Sequence, residues 1–235
     1  MPRYSSASSL QYFQPILKPF KLLKYLENPN EEGIAQSDAF GTTVAIGPNH
    51  IAVGAPGEQG TSGVPSQGIV YIYTSTGTYL RTIVNPNPVA PINAGDGDLF
   101  GTSVAVNTGY VIVGAPGEND ATDNNGKAYV FDITDGSLVY TFNDPNPNTT
   151  EINANGDAFG STVALTEDYA SVCAYRENAV GLGDDTGWTY IFDLSNGNLD
   201  HSIENPNLDG EDEYPGDQIG ERINTLAITD TWTMI

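Results

Sequence analysis

Small and β-branched residues come in short runs along most of the chain, and each run is closed by Asn, Gly, Asp or Pro. Between residues 98 and 118, "DLFGTSVAVNTGYVIVGAPGE" contains "TSVAV" and "YVIVGA", with "KAYVFD" and "LVYTF" following. Runs of this length, rich in Val, Ile, Tyr and Phe and bounded by turn formers, predict strands rather than helices. The breaks "NTG" (107 to 109) and "TDG" (134 to 136) are short enough for hairpins. One unit is therefore about four antiparallel strands.

The unit repeats. "DAFGTTVAIGPNHIAVGAPGE" begins at Asp38, the stretch above at Asp98, "DAFGSTVALTEDYASVCAYRE" at Asp157, and a degraded "DQIGERINTLAITDTWTMI" at Asp217, at spacings of 60, 59 and 60 residues. "NPN" recurs at Asn28, Asn85 and Asn205, with "DPN" at Asp144, and "YIY", "YVF" and "YIF" recur at Tyr71, Tyr129 and Tyr190. A period of this size signals a solenoid, propeller or array. Four-stranded units repeated radially make an all-β β-propeller, in which packing of blade on blade protects the strand edges. The expected blades are 28–84, 85–143 and 144–204. A partial blade at 205–235 shares an outer strand at 22–27, after an arm of residues 1–21. The small "TSVAV"-type strand suits the crowded inner position. Phe40, Phe100 and Phe159 are expected to wedge between blades, and Gly41, Gly101 and Gly160 to permit close backbone approach.

The segments Phe40-Gly41 to Gly54-Ala55-Pro56 and Phe100-Gly101 to Gly114-Ala115-Pro116 resemble the FG-GAP repeat, the blade unit of integrin α-subunit propellers and of many bacterial and marine-phage surface proteins. The third unit keeps Phe159-Gly160 but has "CAY" for "GAP". The resemblance runs from about residue 22 and implies a non-enzymatic propeller on an extracellular surface. The family's usual ring has seven blades, so the chain is expected to be part of a ring or of a longer protein, with a four-bladed ring as the alternative. Integrins carry Asp-rich calcium loops between the first two strands. Here "GPNH", "NTG" and "TED" stand in that place, too short and too poor in oxygen ligands for a calcium cage. The integrin metal sites are therefore not carried over. The nearest calcium candidate is "NPNLDGEDE", which offers Asn205, Asn207 and Asp209 but lacks the closing Glu. No other cofactor is expected.

Charge narrows the partners. The 235 residues hold 30 acidic and 8 basic side chains, a net charge of −22 with only 16% charged residues, so the imbalance reflects scarce Lys and Arg. Nucleic acid is an unsuitable partner for such a surface. Arg3, Lys18, Lys21 and Lys24 all precede the first acid, Glu27. The arm, interrupted by Pro15 and Pro19, reads as a basic, apolar docking segment acting through Lys18, Lys21 and Lys24. No apolar run is long enough for a membrane span, and no signal peptide is recognisable. The single Cys173 occupies the position of Gly54 and Gly114, as a buried structural thiol.

FG and GAP supply no catalytic set and read as packing and turn elements, which leaves chemistry to the loops. The loops entering each first strand (27–39, 85–99, 144–158, 205–218) and those joining the second and third strands (57–69, 117–126, 176–187) hold 21 of the 30 carboxylates. In an up-and-down blade both sets emerge on one face. Asp96, Asp98, Glu118, Asp120, Asp123, Asp184 and Asp185 are the candidate binding residues there, for a basic or cation-bridged protein or glycan partner or for neighbouring subunits of an assembly. The plainer reading is a solvated acidic surface that keeps a strand-rich protein soluble. Asp38, Asp98, Asp157 and Asp217 recur two residues before the Phe or Ile and are expected to anchor loops through Asx-type turns. His50 and His201 are isolated and read as surface residues. The expectation is a binding or assembly module on a virion surface or otherwise extracellular, since a virion protein needs no signal peptide. A bacterial adhesin fragment and a hydrolase using loop carboxylates are the alternatives.

Overall fold

The computed structural model describes residues 22, 24–30, 38–59, 66–88, 97–118, 125–147, 156–177 and 187–204. Within them every regular element is a strand: β1 (Thr43–Ile46), β2 (His50–Ala55), β3 (Ile69–Thr74), β4 (Tyr79–Val84), β5 (Ser103–Val106), β6 (Tyr110–Ala115), β7 (Lys127–Asp132), β8 (Leu138–Asn143), β9 (Phe159–Leu165), β10 (Tyr169–Ala174), β11 (Trp188–Asp193) and β12 (Leu199–Glu204). They form three four-stranded sheets, each in chain order and antiparallel throughout. The all-β, propeller-like architecture of three complete blades is thus observed. The partial blade at 205–235 and the arm at 1–21 lie outside the described residues.

Register explains which residues form the core. Because side chains alternate along a strand, pairing Val44 with Val53 and Val53 with Tyr71 sets these three on one face of the first blade. Ala45, Ala52 and Ile72 share the other. That second face meets the next blade: Ala52, Val70, Ile72 and Ile83 form one core with Phe100, Val111, Val113, Tyr129 and Phe131. The arrangement repeats one blade on, where Ile112, Val130 and Phe142 pack with Phe159, Val163, Val172, Tyr190 and Phe192. Each buried Val, Ile or Phe among them contributes about 1.5–3 kcal/mol by leaving water. The first strands are innermost, as expected, with β5 packed against both β1 and β9. The fourth strands lie outside, and each carries one extra residue, Leu80, Val139 or Asp200, opposite the third-strand pairs Ile72/Tyr73, Val130/Phe131 and Ile191/Phe192.

FG and GAP meet at the seam between blades. The backbone N–H of Phe100 donates to Gln67 O (3.1 Å) in the preceding blade, and that of Phe159 to Asn125 O (2.7 Å). Gly101 and Gly160 have φ near +90°, which Gly adopts without strain. Their carbonyls lie so close to Gly54 and Gly114 of the preceding blade that an added Cβ would overlap them. The same carbonyls accept from Thr43 Oγ1 (2.8 Å) and Ser103 Oγ (2.7 Å). Phe100 and Phe159 are fully buried and pack against their own β7 and β11 aromatics, at 6.0 Å from Tyr129 and 5.9 Å from Tyr190.

Residues 24–30 take the place of an outer strand against the first blade, although no ladder is formed there. Lys24 and Leu26 approach Gly77 as Arg81 and Ile83 approach Gly136. Leu26 joins the core of Val53, Tyr71 and Tyr73, and Tyr73 donates its hydroxyl to Glu27 O (2.8 Å). Leu22 is 62% exposed, as Tyr79, at the matching place in β4, is 44% exposed. Leu26 supplies this segment's packing against the core.

Candidate functional site

At one end of each blade, the two long connections share a buried base. The conserved spacing of the repeats brings together an Asn or Asp before the entering loop, an Asn two residues later, an Asp just ahead of the FG pair, a Glu just after the second strand, and a Tyr on the third. In the second blade Asn85 Nδ2 donates to Asp98 Oδ2 (2.9 Å) and Glu118 Oε2 (3.2 Å), while Asn87 Nδ2 donates to Glu118 Oε1 (2.9 Å). Tyr129 donates its hydroxyl to the same Oε1 (2.5 Å), and Lys127 Nζ lies 3.5 Å from it.

The first blade has the same clasp. Asn28 donates to Asp38 (3.4 Å), Asn30 to Glu58 (2.5 Å) and Tyr71 to both Glu58 oxygens (2.6 and 2.7 Å). In the third, Asn146 and Tyr190 donate to Glu177 Oε1 at 2.8 and 2.5 Å. A backbone bond closes each clasp, from Gly57, Gly117 and Arg176 N–H to the carbonyls of Asp38, Asp98 and Asp157 (3.2 Å each). Glu58, Glu118 and Glu177 are each only 1% exposed. Burial raises the proton affinity of Glu118 above the ordinary carboxylate range, against the opposing pull of Tyr129, Asn87, Lys127 and Asn85. Tyr71 and Tyr190 hold their hydroxyl protons more tightly than a free tyrosine, through burial first and then their Glu partners.

These clasps change the reading of the acidic face. Both loop sets do spring from one end of the blade, since a single Glu is bonded to the roots of both. Asp98 and Glu118, however, were expected to face a ligand, and they are 2% and 1% exposed with their oxygens held inside the clasp. Seven of the 21 loop carboxylates (Asp38, Glu58, Asp98, Glu118, Asp144, Asp157 and Glu177) belong to the clasps; of the other 14, only Glu27 is among the described residues, and it is exposed. Asp96, Asp120, Asp123, Asp184 and Asp185 lie outside the described residues, as do Lys18, Lys21, Asn205, Asn207 and Asp209. Lys24 is exposed.

The recurring Asp residues do anchor loop bases, but Asp38 and Asp98 do so by accepting from Asn side chains. The Asx turns fall elsewhere, where Asn28, Asn85 and Asp144 each accept from the N–H two residues on (2.9–3.0 Å). Glu58, Asn30, Asn87, Asn146 and the three tyrosines were not singled out from sequence. Their signal was present: Glu58, Glu118 and Glu177 follow each GAP-type turn in register with Tyr71, Tyr129 and Tyr190.

The remaining singled-out residues are placed away from this base. His201 is exposed beside Asp200 (2.9 Å), and His50 is half-buried at the start of β2. Cys173 is a buried thiol, and burial raises its proton affinity. Among the described residues no three His, Cys, Asp or Glu side chains are arranged to hold a metal ion, and no helix is long and apolar enough to cross a membrane.

Comparison with curated proteins gives no match. The FG-GAP repeat family matches at residues 32–73 and 89–131, each match running from the entering loop through the FG pair and the GAP turn into the third strand. These are the first and second blades up to β3 and β7, and the third blade repeats their strand order, seam and clasp. The first two blades of this chain carry FG-GAP repeats.

Proposed function

We propose that this chain is a non-enzymatic binding and assembly module that works on an extracellular surface, as a structural or host-recognition protein of a virion. FG-GAP propellers are in general binding modules of surface proteins, which supports the coarse reading. The observation that carries the finer one is the shared clasp. It roots two loops per blade in one buried, hydrogen-bonded base, the arrangement of a rigid scaffold presenting variable loops. The 14 carboxylates left outside the clasps favour a basic or cation-bridged partner on a protein or glycan surface.

A second surface favours neighbouring subunits. Val44 and Ile46 are 54% and 76% exposed, at the positions where Val104 and Val106 of the next blade pack against their neighbour. A hydrolase is disfavoured, because Glu118 and Glu177, two carboxyls with raised proton affinity, are buried and bonded to tyrosines rather than open to a substrate. Mass spectrometry and immunogold labelling of purified particles and of host-cell fractions test the reading. The chain should be found on particles. Its recovery only on a bacterial cell surface would favour an adhesin, and recovery only as a free intracellular protein would overturn the proposal.

A further inference from the structure

The third clasp differs from the others at one position. Asn85, whose amide donates to both Asp98 and Glu118 in the second blade, is replaced by Asp144 in the third. Asp144 keeps the Asx turn through Oδ1, which accepts from Asn146 N–H (2.9 Å). Its Oδ2 is buried without a hydrogen-bond partner, and the residue as a whole is only 9% exposed. The cation is lost too: β11 places Trp188 opposite Ala174, where β7 places Lys127 opposite Ala115. Three carboxyls, Asp144, Asp157 and Glu177, therefore converge where the second blade has two carboxyls, an amide and an ammonium. Asp144 and Asp157 lie within hydrogen-bonding reach of each other, a contact that two bare carboxylates cannot make.

We propose that the third clasp is a proton-operated latch: a proton shared between Asp144 and Asp157 does the work of the Asn85 amide, and its loss drives the two loop roots apart. The titratable groups facing it are Asp144 and Asp157 from the entering segment, Glu177 after β10, Tyr190 on β11 and the Cys173 thiol on β10. The neighbouring cation is Arg176, which donates its backbone N–H to Asp157 O and carries its guanidinium 5.0 Å from the Tyr175 ring. Burial, then Glu177 and Asp157, push Asp144 up to about 8, and burial pushes Glu177 up to about 7 despite its bonds from Tyr190 and Asn146. A carboxyl that binds its proton more tightly in the folded state takes one up on folding. Its stabilising proton is held at low pH, and stability falls as pH rises from the ordinary carboxylate range through about 7 to 8. Loosening would be felt first at the third blade's loops, so pH would retune one part of the loop face while the second clasp stays closed.

Asp144→Asn rebuilds the second blade's arrangement, and Asn85→Asp creates the converse. Melting temperature is measured from pH 5 to 9 at constant ionic strength. Asp144→Asn should raise it at pH 8 and flatten its fall between pH 6 and 9, with little change at pH 5. Asn85→Asp should steepen the fall. Profiles that run parallel to wild type in both variants would overturn the latch. Repeating the wild type at pH 8.5 with added calcium decides between a proton and a metal: no shift supports the latch. A rise of several degrees that Asp144→Asn abolishes would overturn it in favour of a cation site.

Discussion

At the residue scale, the seam glycines give the sharpest test of what FG and GAP are for. Gly54 and Gly114 face the carbonyls of Gly101 and Gly160 at a distance no side chain can share. Gly114→Ala should destabilise the protein by about 1–3 kcal/mol or more, because either the seam opens or the backbone shifts. Gly109, in a β5–β6 turn with open space around it, serves as the control, and Gly109→Ala should stay within about 0.5 kcal/mol. Urea unfolding of the two variants checks this. The need for glycine was legible in the sequence as recurrence, but its cause was not. What presses on Gly114 comes from residue 160, and the strand pattern of a single blade gives no view of the next one. Glu118 was misread for a related reason. A carboxylate in a loop reads as exposed unless its Asn and Tyr donors, from segments 31 residues before and 11 after, are placed around it.

At the element scale, strand identity and order follow from alternation and turn chemistry alone, which is why three four-stranded sheets were predictable. The weakest expectation was the outer strand at 22–27. Leu22 and Leu26 look equivalent in an apolar run, and only the packing of Leu26 beside Gly77 separates them. The blade seams carry most of the long-range burial, so the FG phenylalanines should be unequal. Phe100 is fully buried between two blades and Phe40 only partly. Phe100→Ala should cost about 3–5 kcal/mol and Phe40→Ala roughly half as much, measured by equilibrium unfolding. Equal costs would mean that the seam between first and second blades adds little.

At the scale of the whole molecule, the proposed function assigns stability and recognition to different carboxylates: the clasps hold the blades' loop roots, and the remaining loop carboxylates are proposed to meet the partner. A net charge of −22 does not distinguish the two roles; burial marks Glu58, Asp98, Glu118, Asp157 and Glu177 as clasp residues. The most direct measurement pairs Glu118→Gln with the combined Asp120→Asn, Asp123→Asn, Asp184→Asn and Asp185→Asn variant. Each is followed by thermal unfolding and by retention on immobilised polylysine, a simple basic probe. Glu118→Gln should lower stability by about 1–3 kcal/mol, since a Gln amide is set against the donors of Asn85, Asn87, Tyr129 and Lys127. Its retention at temperatures where it is folded should be little changed. The loop-tip variant should melt like the wild type, or slightly higher as repulsion is relieved, and lose most of its retention. An unchanged melting temperature for Glu118→Gln, or a collapse of the fold in the loop-tip variant, would contradict the account.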